Sequence, residues 1–324
     1  MNSKKWLLAL GVSGILAFGI AACGDDDDDS GDNGGGDAGG QSGTILIDGS
    51  STVAPLTSVA AEGFRAENPD VDVTVGTSGT SGGFESFCAG ETDANDASRA
   101  IEPEEEKRCA DNGVEYEEVQ VANDALSAIV NPNNPLTCIT VESLNQIWDK
   151  GSTVDSWGDV EGLDQDVGDE PLELFGPGSD SGTYDYWTEA INGEEGVIRT
   201  DYNSIGENDN AAINGVASDE WAMAYVPYSF VEEAGEQVKA LEIDGGDGCV
   251  APTLEAVQDG SYQPLGRPLY LYPSAEALQR PEMVAFMEFY IGNQEELTTA
   301  ATFVPMTEEQ AATAQETVDG LAGG

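Results

Sequence analysis

Three short turns rich in Gly, Ser and Thr hold the residues of this chain best suited to grip a small anion. They are Asp48-Gly49-Ser50-Ser51-Thr52, Thr77-Ser78-Gly79-Thr80-Ser81-Gly82-Gly83 and Gly178-Ser179-Asp180-Ser181-Gly182-Thr183. Each follows a strand-like run and opens a helix-like one. Hydroxyls placed there lie beside amides with no intrahelical acceptor, at the positive end of the helix dipole, and both features favour an anion. One such turn alone is ordinarily an N-cap, because Ser and Thr are preferred capping residues. Three in one chain, each at the same strand-to-helix step, point to a shared ligand. No Gly-Lys-Ser/Thr follows any of them, so none is the phosphate loop of nucleotide hydrolases, and neutral donors would hold the anion. A fourth element is Asn95-Asp96-Ala97-Ser98-Arg99. Arg99 is one of nine basic residues once Lys4 and Lys5 are set aside. Its guanidinium fork suits a tetrahedral oxyanion, although taken singly it reads as a surface ion pair of little worth.

Composition excludes several classes of function. The 324 residues carry 62 acidic and 11 basic side chains and no histidine, for a formal charge of −51. Nucleic-acid binding depends on Lys and Arg contacts to phosphates, and no basic patch exists to supply them. The lack of histidine removes Ser-His-Asp and Cys-His chemistry and every histidine-ligated metal; neither a metal nor a cofactor is expected. The charge does not exclude a small buried anion. Surface charge is screened beyond about 8–10 Å, whereas donors in a cleft act over about 3 Å. Hydrophobic residues make up 40% of the chain, enough for a packed core, and the length suits two domains.

The elements that must position the four segments follow from periodicity. Val53, Leu56, Ala60 and Phe64 recur at helical spacing and end near Asn68-Pro69, and Val71, Val73 and Val75 alternate as a strand. Helices are expected at Gly82–Ala89, Glu102–Asn112, Thr140–Asp149, Thr183–Asn192, Pro281–Gly292 and Thr307–Leu321. Strand-like runs fall near Ala94–Ala97, Val114–Val121, Leu126–Val130, Leu172–Phe175, Ala222–Val226 and Pro268–Tyr272. Strand and helix alternating at this cadence indicate an α/β protein with mostly parallel sheets. Phe286, Phe289 and Tyr290 fall at helical spacing and read as core.

The N-terminal segment reads as an export signal. Lys4 and Lys5 precede an apolar run from Trp6 to Ala22, which ends in Ala21-Ala22-Cys23; residues 1–22 are expected to be a lipoprotein signal peptide, with Cys23 lipidated. Residues 23–43, Gly- and Asp-rich, form an acidic tether. Outside the cytosol, Cys88, Cys109, Cys138 and Cys249 form two disulfides. Of the three pairings, Cys88 with Cys109 and Cys138 with Cys249 is preferred, closing one short and one long loop.

Taken in order, these motifs resemble those of the phosphate-binding lipoproteins and periplasmic proteins that serve the high-affinity phosphate ABC transporter. The resemblance rests on DGSSTVAPL (48–56), GTSGTSGGF (76–84), FCAGETDANDASRAI (87–101), GPGSDSGTYDYW (176–187) and ENDNAAINGV (207–216). It implies a type II periplasmic-binding-protein-like fold: two α/β lobes joined by two hinge strands, with the ligand in the cleft between them. Residues 44–122 plus 252–324 would form one lobe and 123–251 the other. By matching position it implies phosphate ligands Ser51, Thr52, Thr80, Ser98, Arg99, Ser181, Gly182 and Thr183. The family's best-known members carry an Asp in the turn that here reads Ser98-Arg99, and an Arg before the third turn, where this chain has Gly176 and Pro177. Another carboxylate must then accept the proton that distinguishes phosphate from sulfate; Asp180, Asp96 and Asp209 are the candidates, Asp180 foremost. The resemblance further implies a monomer at the bacterial cell surface or in the periplasm, anchored by its lipid, that delivers phosphate to permease subunits by hinge closure. The competing readings are a binder of sulfate or molybdate, a secreted phosphatase with Ser51 or Ser181 as nucleophile, and a surface adhesin or signalling lipoprotein.

Overall fold

The computed structural model describes residues 42–322 apart from Asp164, Asp166, Asp180 and Glu207. The expected signal peptide, Cys23, most of the tether and Asp180 therefore lie outside the described residues.

Along the chain, β1 (Gly43–Gly49) leads into α1 (Ala54–Glu67), β2 (Val71–Val75), α2 (Thr80–Cys88), β3 (Ala94–Ala97), α3 (Pro103–Asn112) and β4 (Val119–Val130). Then come β5 (Cys138–Thr140), α4 (Val141–Trp148), β6 (Glu173–Gly176), α5 (Gly182–Asn192), β7 (Asn203–Ser204), α6 (Asp209–Ser218) and β8 (Ala222–Pro227). The last part comprises α7 (Tyr228–Ala234), β9 (Lys239–Ala240), β10 (Glu242–Asp244), β11 (Cys249–Val250), α8 (Leu254–Gln258), β12 (Gly266–Pro273), α9 (Pro281–Gly292), α10 (Gln294–Ala300) and α11 (Glu308–Ala322).

One sheet runs β2-β1-β3-β12-β4-β8-β6-β7, with β9 beside β4, and a small second sheet runs β11-β10-β5. In the large sheet the outer ladders, β1 with β2 and β3 and β6 with β7 and β8, are parallel, and every antiparallel ladder there involves β4 or β12. These two central strands join two apolar cores. Ile45, Leu56, Phe64, Phe286 and Tyr290 pack with Val119, Val121 and Ala122 and with Leu269 and Leu271. Leu144, Trp148, Trp187 and Tyr225 pack with Leu126, Ala128 and Leu265. The crossing between the cores falls at Asn123-Asp124 on β4 and at Gly266-Arg267-Pro268 on β12, and Arg267 lies in register with Asp124. The expected strand segment 126–130 and the last three residues of the expected 114–121 lie in one strand, β4, which begins only at Val119 and whose backbone ladder continues through the polar residues that interrupt the apolar pattern.

Helix α2 begins two residues earlier than its expected start at Gly82. Gly79, at φ +81°, turns the chain directly into Thr80. A Cβ on Gly83 would collide with Asn95 Oδ1 at 2.0 Å and Gly49 Cα at 2.5 Å, so only glycine lets α2 lie flush on β1 and β3. The disulfides are Cys88–Cys109 and Cys138–Cys249, the preferred pairing. Among the described residues no helix is long and apolar enough to cross a membrane.

Candidate functional site

The first two turns are braced by one carboxylate. Asp48, at the end of β1, accepts from the Gly49 and Ser78 amides at 2.8 and 3.0 Å. The Ser50 amide donates to Asp96 O, which ties the first turn to β3. The Ser50 hydroxyl accepts from the Thr52 amide at 3.2 Å. Thr80 Oγ1 accepts from the Ser98 amide at 3.3 Å and lies 3.1 Å from the Ser98 hydroxyl. In the third turn Ser181 caps α5 by accepting from the Thr183 amide.

The first and third turns touch. Thr52 Oγ1 donates to Gly182 O at 3.4 Å, and Ser51 Oγ donates to Asp185 Oδ2 at 2.7 Å. Two adjoining cavities result. The smaller, about 10 Å³, is lined by Ser50–Thr52, Thr80, Ser98, Asp185 and Arg267 among others. The larger, about 250 Å³, is lined by Ser51, Thr52, Asp124, Ser181–Thr183 and Asp209 together with Phe230 and Phe303. Ser51 and Thr52 belong to both, so the first turn is the wall between them. The small cavity has room for about one water, not for a tetrahedral oxyanion; an anion that uses Thr80 and Thr183 together requires the Thr52–Gly182 contact to part.

Of the residues expected at the site, Ser51, Thr52, Thr80, Ser98, Ser181, Gly182, Thr183 and Asp209 line these cavities. Arg99 does not. Its guanidinium is held by Glu105 through two bonds of 2.9 Å, and by Ser81 Oγ and Ala100 O at 2.9 and 3.1 Å. Glu105 in turn accepts from the Glu102 amide in the capping box of α3. Asp96 lies behind the first turn, buried against Thr57, whose hydroxyl donates to it at 2.8 Å. Burial pushes its carboxyl up to about 8, with Thr57 opposing the shift and Asp48 adding to it.

The cationic group at the cavity is Arg267, from β12. It donates to Thr52 Oγ1 at 3.0 Å, lies 3.3 Å above the Tyr186 ring centroid, and approaches Glu189 at 3.4 Å and Asp124 at 3.6 Å. Burial raises the Asp124 carboxyl, opposed by Arg267. Burial also raises Asp185, opposed by the Ser51 hydroxyl and Arg267 and aided by Glu189, and raises Glu195 with help from Asp185 and Glu189. Sequence reasoning missed Asp124, Asp185, Tyr186, Glu189, Glu195 and Arg267. For three of them a signal existed: Asp185, Tyr186 and Glu189 stand three, four and seven residues beyond Gly182, on its own helical face. Arg267 carried none, being 215 residues from Thr52.

Residues 36–294 match the family model of the PBP superfamily domain. The chain is 40% identical over 272 residues to the protein SphX of Synechocystis sp., covering 83% of this chain and 80% of that protein. It is 32% identical over 327 residues to the phosphate-binding protein PstS of Staphylococcus saprophyticus, covering 99% and 96%. The crystal structure of a possible phosphate binding protein from Planctomyces limnophilus superposes with a TM-score of 0.83 at 38% identity, covering 87% of this chain and 99% of that one.

Proposed function

This chain belongs to the PBP superfamily, in the company of the PstS and SphX proteins, and we propose from that premise that it binds inorganic phosphate outside the cytoplasm for an ABC transporter. The observation that carries this reading is the convergence of three hydroxyl- and amide-rich turns, from segments far apart in sequence, on one pair of adjoining cavities at the crossing of β4 and β12. Ser51, Thr52, Thr80, Ser98, Ser181, Gly182 and Thr183 supply neutral donors, as the anion's full or partial double charge requires in a site bordered by carboxylates. The two lobes, which meet at Asn123-Asp124 on β4 and Gly266-Arg267-Pro268 on β12, part to admit the anion and close over it, and the closed form docks on the permease. The protein acts as a binding component, not an enzyme, held at the membrane by a lipid on Cys23.

Asp185 fills the acceptor role. Its carboxylate, 2.7 Å from the Ser51 hydroxyl, can receive a proton from phosphate but confronts sulfate with a like charge. Calorimetry with phosphate and sulfate on the mature chain tests the reading: phosphate binds at micromolar concentration or below, and sulfate far more weakly. Absence of phosphate binding, or equal binding of both, refutes it. Asp185→Asn narrows the gap between the two anions; an unchanged ratio removes Asp185 from this role.

A further inference from the structure

We propose that Arg267 is the cation of the anion site and that it couples anion binding to the closing of the lobes; this rests on the phosphate-binding reading above. Among the described residues it is the only basic side chain lining either cavity. Arg99, the cation nearest the turns in sequence, has its fork engaged by Glu105 in two-point fashion, the geometry that an oxyanion would otherwise take.

The contacts of Arg267 are of a different kind. Its ion pairs are loose, at 3.4 Å to Glu189 and 3.6 Å to Asp124, and its Nε–H is buried without a hydrogen-bond acceptor among the described residues. A buried donor of a charged group without an acceptor is costly, so the guanidinium remains available to a better acceptor. The Tyr186 ring beneath it fixes the plane of the fork, and one edge already faces Thr52 at 3.0 Å. An oxyanion seated at Thr52 is therefore within reach of a pre-oriented fork.

Its position gives the coupling. Arg267 stands on β12 where the two apolar cores meet, in register with Asp124 of β4. It touches Thr52 of the first turn and Tyr186 and Glu189 of α5. A ligand that draws the guanidinium inward acts at once on both central strands, on the first turn and on the helix that carries the third. Asp124, Asp185, Glu189 and Glu195 all face this one cation. Without it the charged groups among the described residues lining the cavities are all carboxylates.

Calorimetric titration with inorganic phosphate of the full mature chain and its Arg267→Ala, Arg267→Lys and Arg99→Ala variants tests this, alongside melting curves with and without phosphate. Arg267→Ala is expected to bind about 100-fold more weakly and Arg267→Lys about tenfold, since a lysine keeps the charge but not the fork. Arg99→Ala is expected to change affinity less than about fivefold. Added guanidinium ion restores part of the affinity of Arg267→Ala, which a purely structural loss would not permit. If Arg267→Ala does not fold, Arg267→Lys decides the matter. Binding by an Arg267 variant within about threefold of wild type, or a larger loss in Arg99→Ala, overturns the assignment. Failure of the wild type to bind phosphate would instead refute the reading on which it rests.

Discussion

Gly182→Ala separates the steric demand of closure from the chemistry of the donors. An alanine Cβ at this position would lie 3.1 Å from Thr52 Cα, 3.3 Å from Thr52 N and 3.4 Å from Ser51 O. Ordinary carbon contacts begin near 3.5–4.0 Å, so the first and third turns must separate by about half an ångström. The nearest atoms are all backbone, so no flexible side chain can yield. The Thr52 Oγ1–Gly182 O bond, already 3.4 Å long, would break. Overpacking of this kind costs about 1–3 kcal/mol and the lost bond about 1 kcal/mol. The penalty falls on the state in which the turns touch, while the residue 182 amide remains a donor. Since an anion held by Thr80 and Thr183 together needs this contact parted, the ligand-free protein should melt at a lower temperature, while phosphate affinity should not fall and should rise by up to about tenfold as the touching state is disfavoured. Gly292→Ala is the matched control: it lies at the exposed end of α9, where an alanine methyl would meet no atom within 4 Å, and alanine is favoured there by up to about 1 kcal/mol. Calorimetry on both variants decides the point. A phosphate affinity for Gly182→Ala more than about twofold below that of wild type, or a ligand-free melting temperature no lower than that of Gly292→Ala, would refute the reasoning.

The buried Asp96 should make stability depend on pH. Its carboxyl, raised to about 8 in the fold from an ordinary 3.8, contributes stability that is complete below about pH 4 and lost as pH rises toward 8. Wild type should lose up to about 1.4 kcal/mol per pH unit relative to Asp96→Asn in urea titrations across this window, and parallel curves for the two proteins would contradict the assignment. Removing Cys138–Cys249 by paired alanine substitution should cost about 5 kcal/mol, because its partners are 111 residues apart; the Cys88–Cys109 pair, 21 apart, should cost about 3 kcal/mol. Chemical denaturation that gave the opposite order would mean that chain entropy does not govern these bonds.

The parts of the site legible in the sequence are those encoded within a few residues. A Ser- and Gly-rich turn between a strand and a helix states its own local geometry, because capping hydroxyls and positive-φ glycines act on their neighbours. Thus Ser51, Thr52, Thr80 and Ser181–Thr183 were identifiable from local pattern. The face of α5 that carries Asp185, Tyr186 and Glu189 was implicit in the same helical period. The interruption at Asn123-Asp124 was visible as a gap between two strand-like runs, yet it marks the middle of one strand. Its backbone bonds to β12 outweigh the local loss of apolar alternation, and its polar side chains find partners, Asn123 at Pro305 O and Gln310 and Asp124 at Arg267.

Charge showed where local reasoning stops. Composition alone established an acidic protein without histidine in which any anion must be held largely by neutral donors. Which of the few cations joins them was not decidable from spacing. Arg99 stands next to Ser98 in the chain, but Glu105, one turn into the following helix, reaches its guanidinium first. Arg267 stands far from every motif, and the register of β12 against β4 brings it to Thr52 and Tyr186. Turns and caps depend on contacts between near neighbours and so are written locally. The partner of a long charged side chain depends on which backbones the tertiary fold places side by side, and only the folded chain decides that.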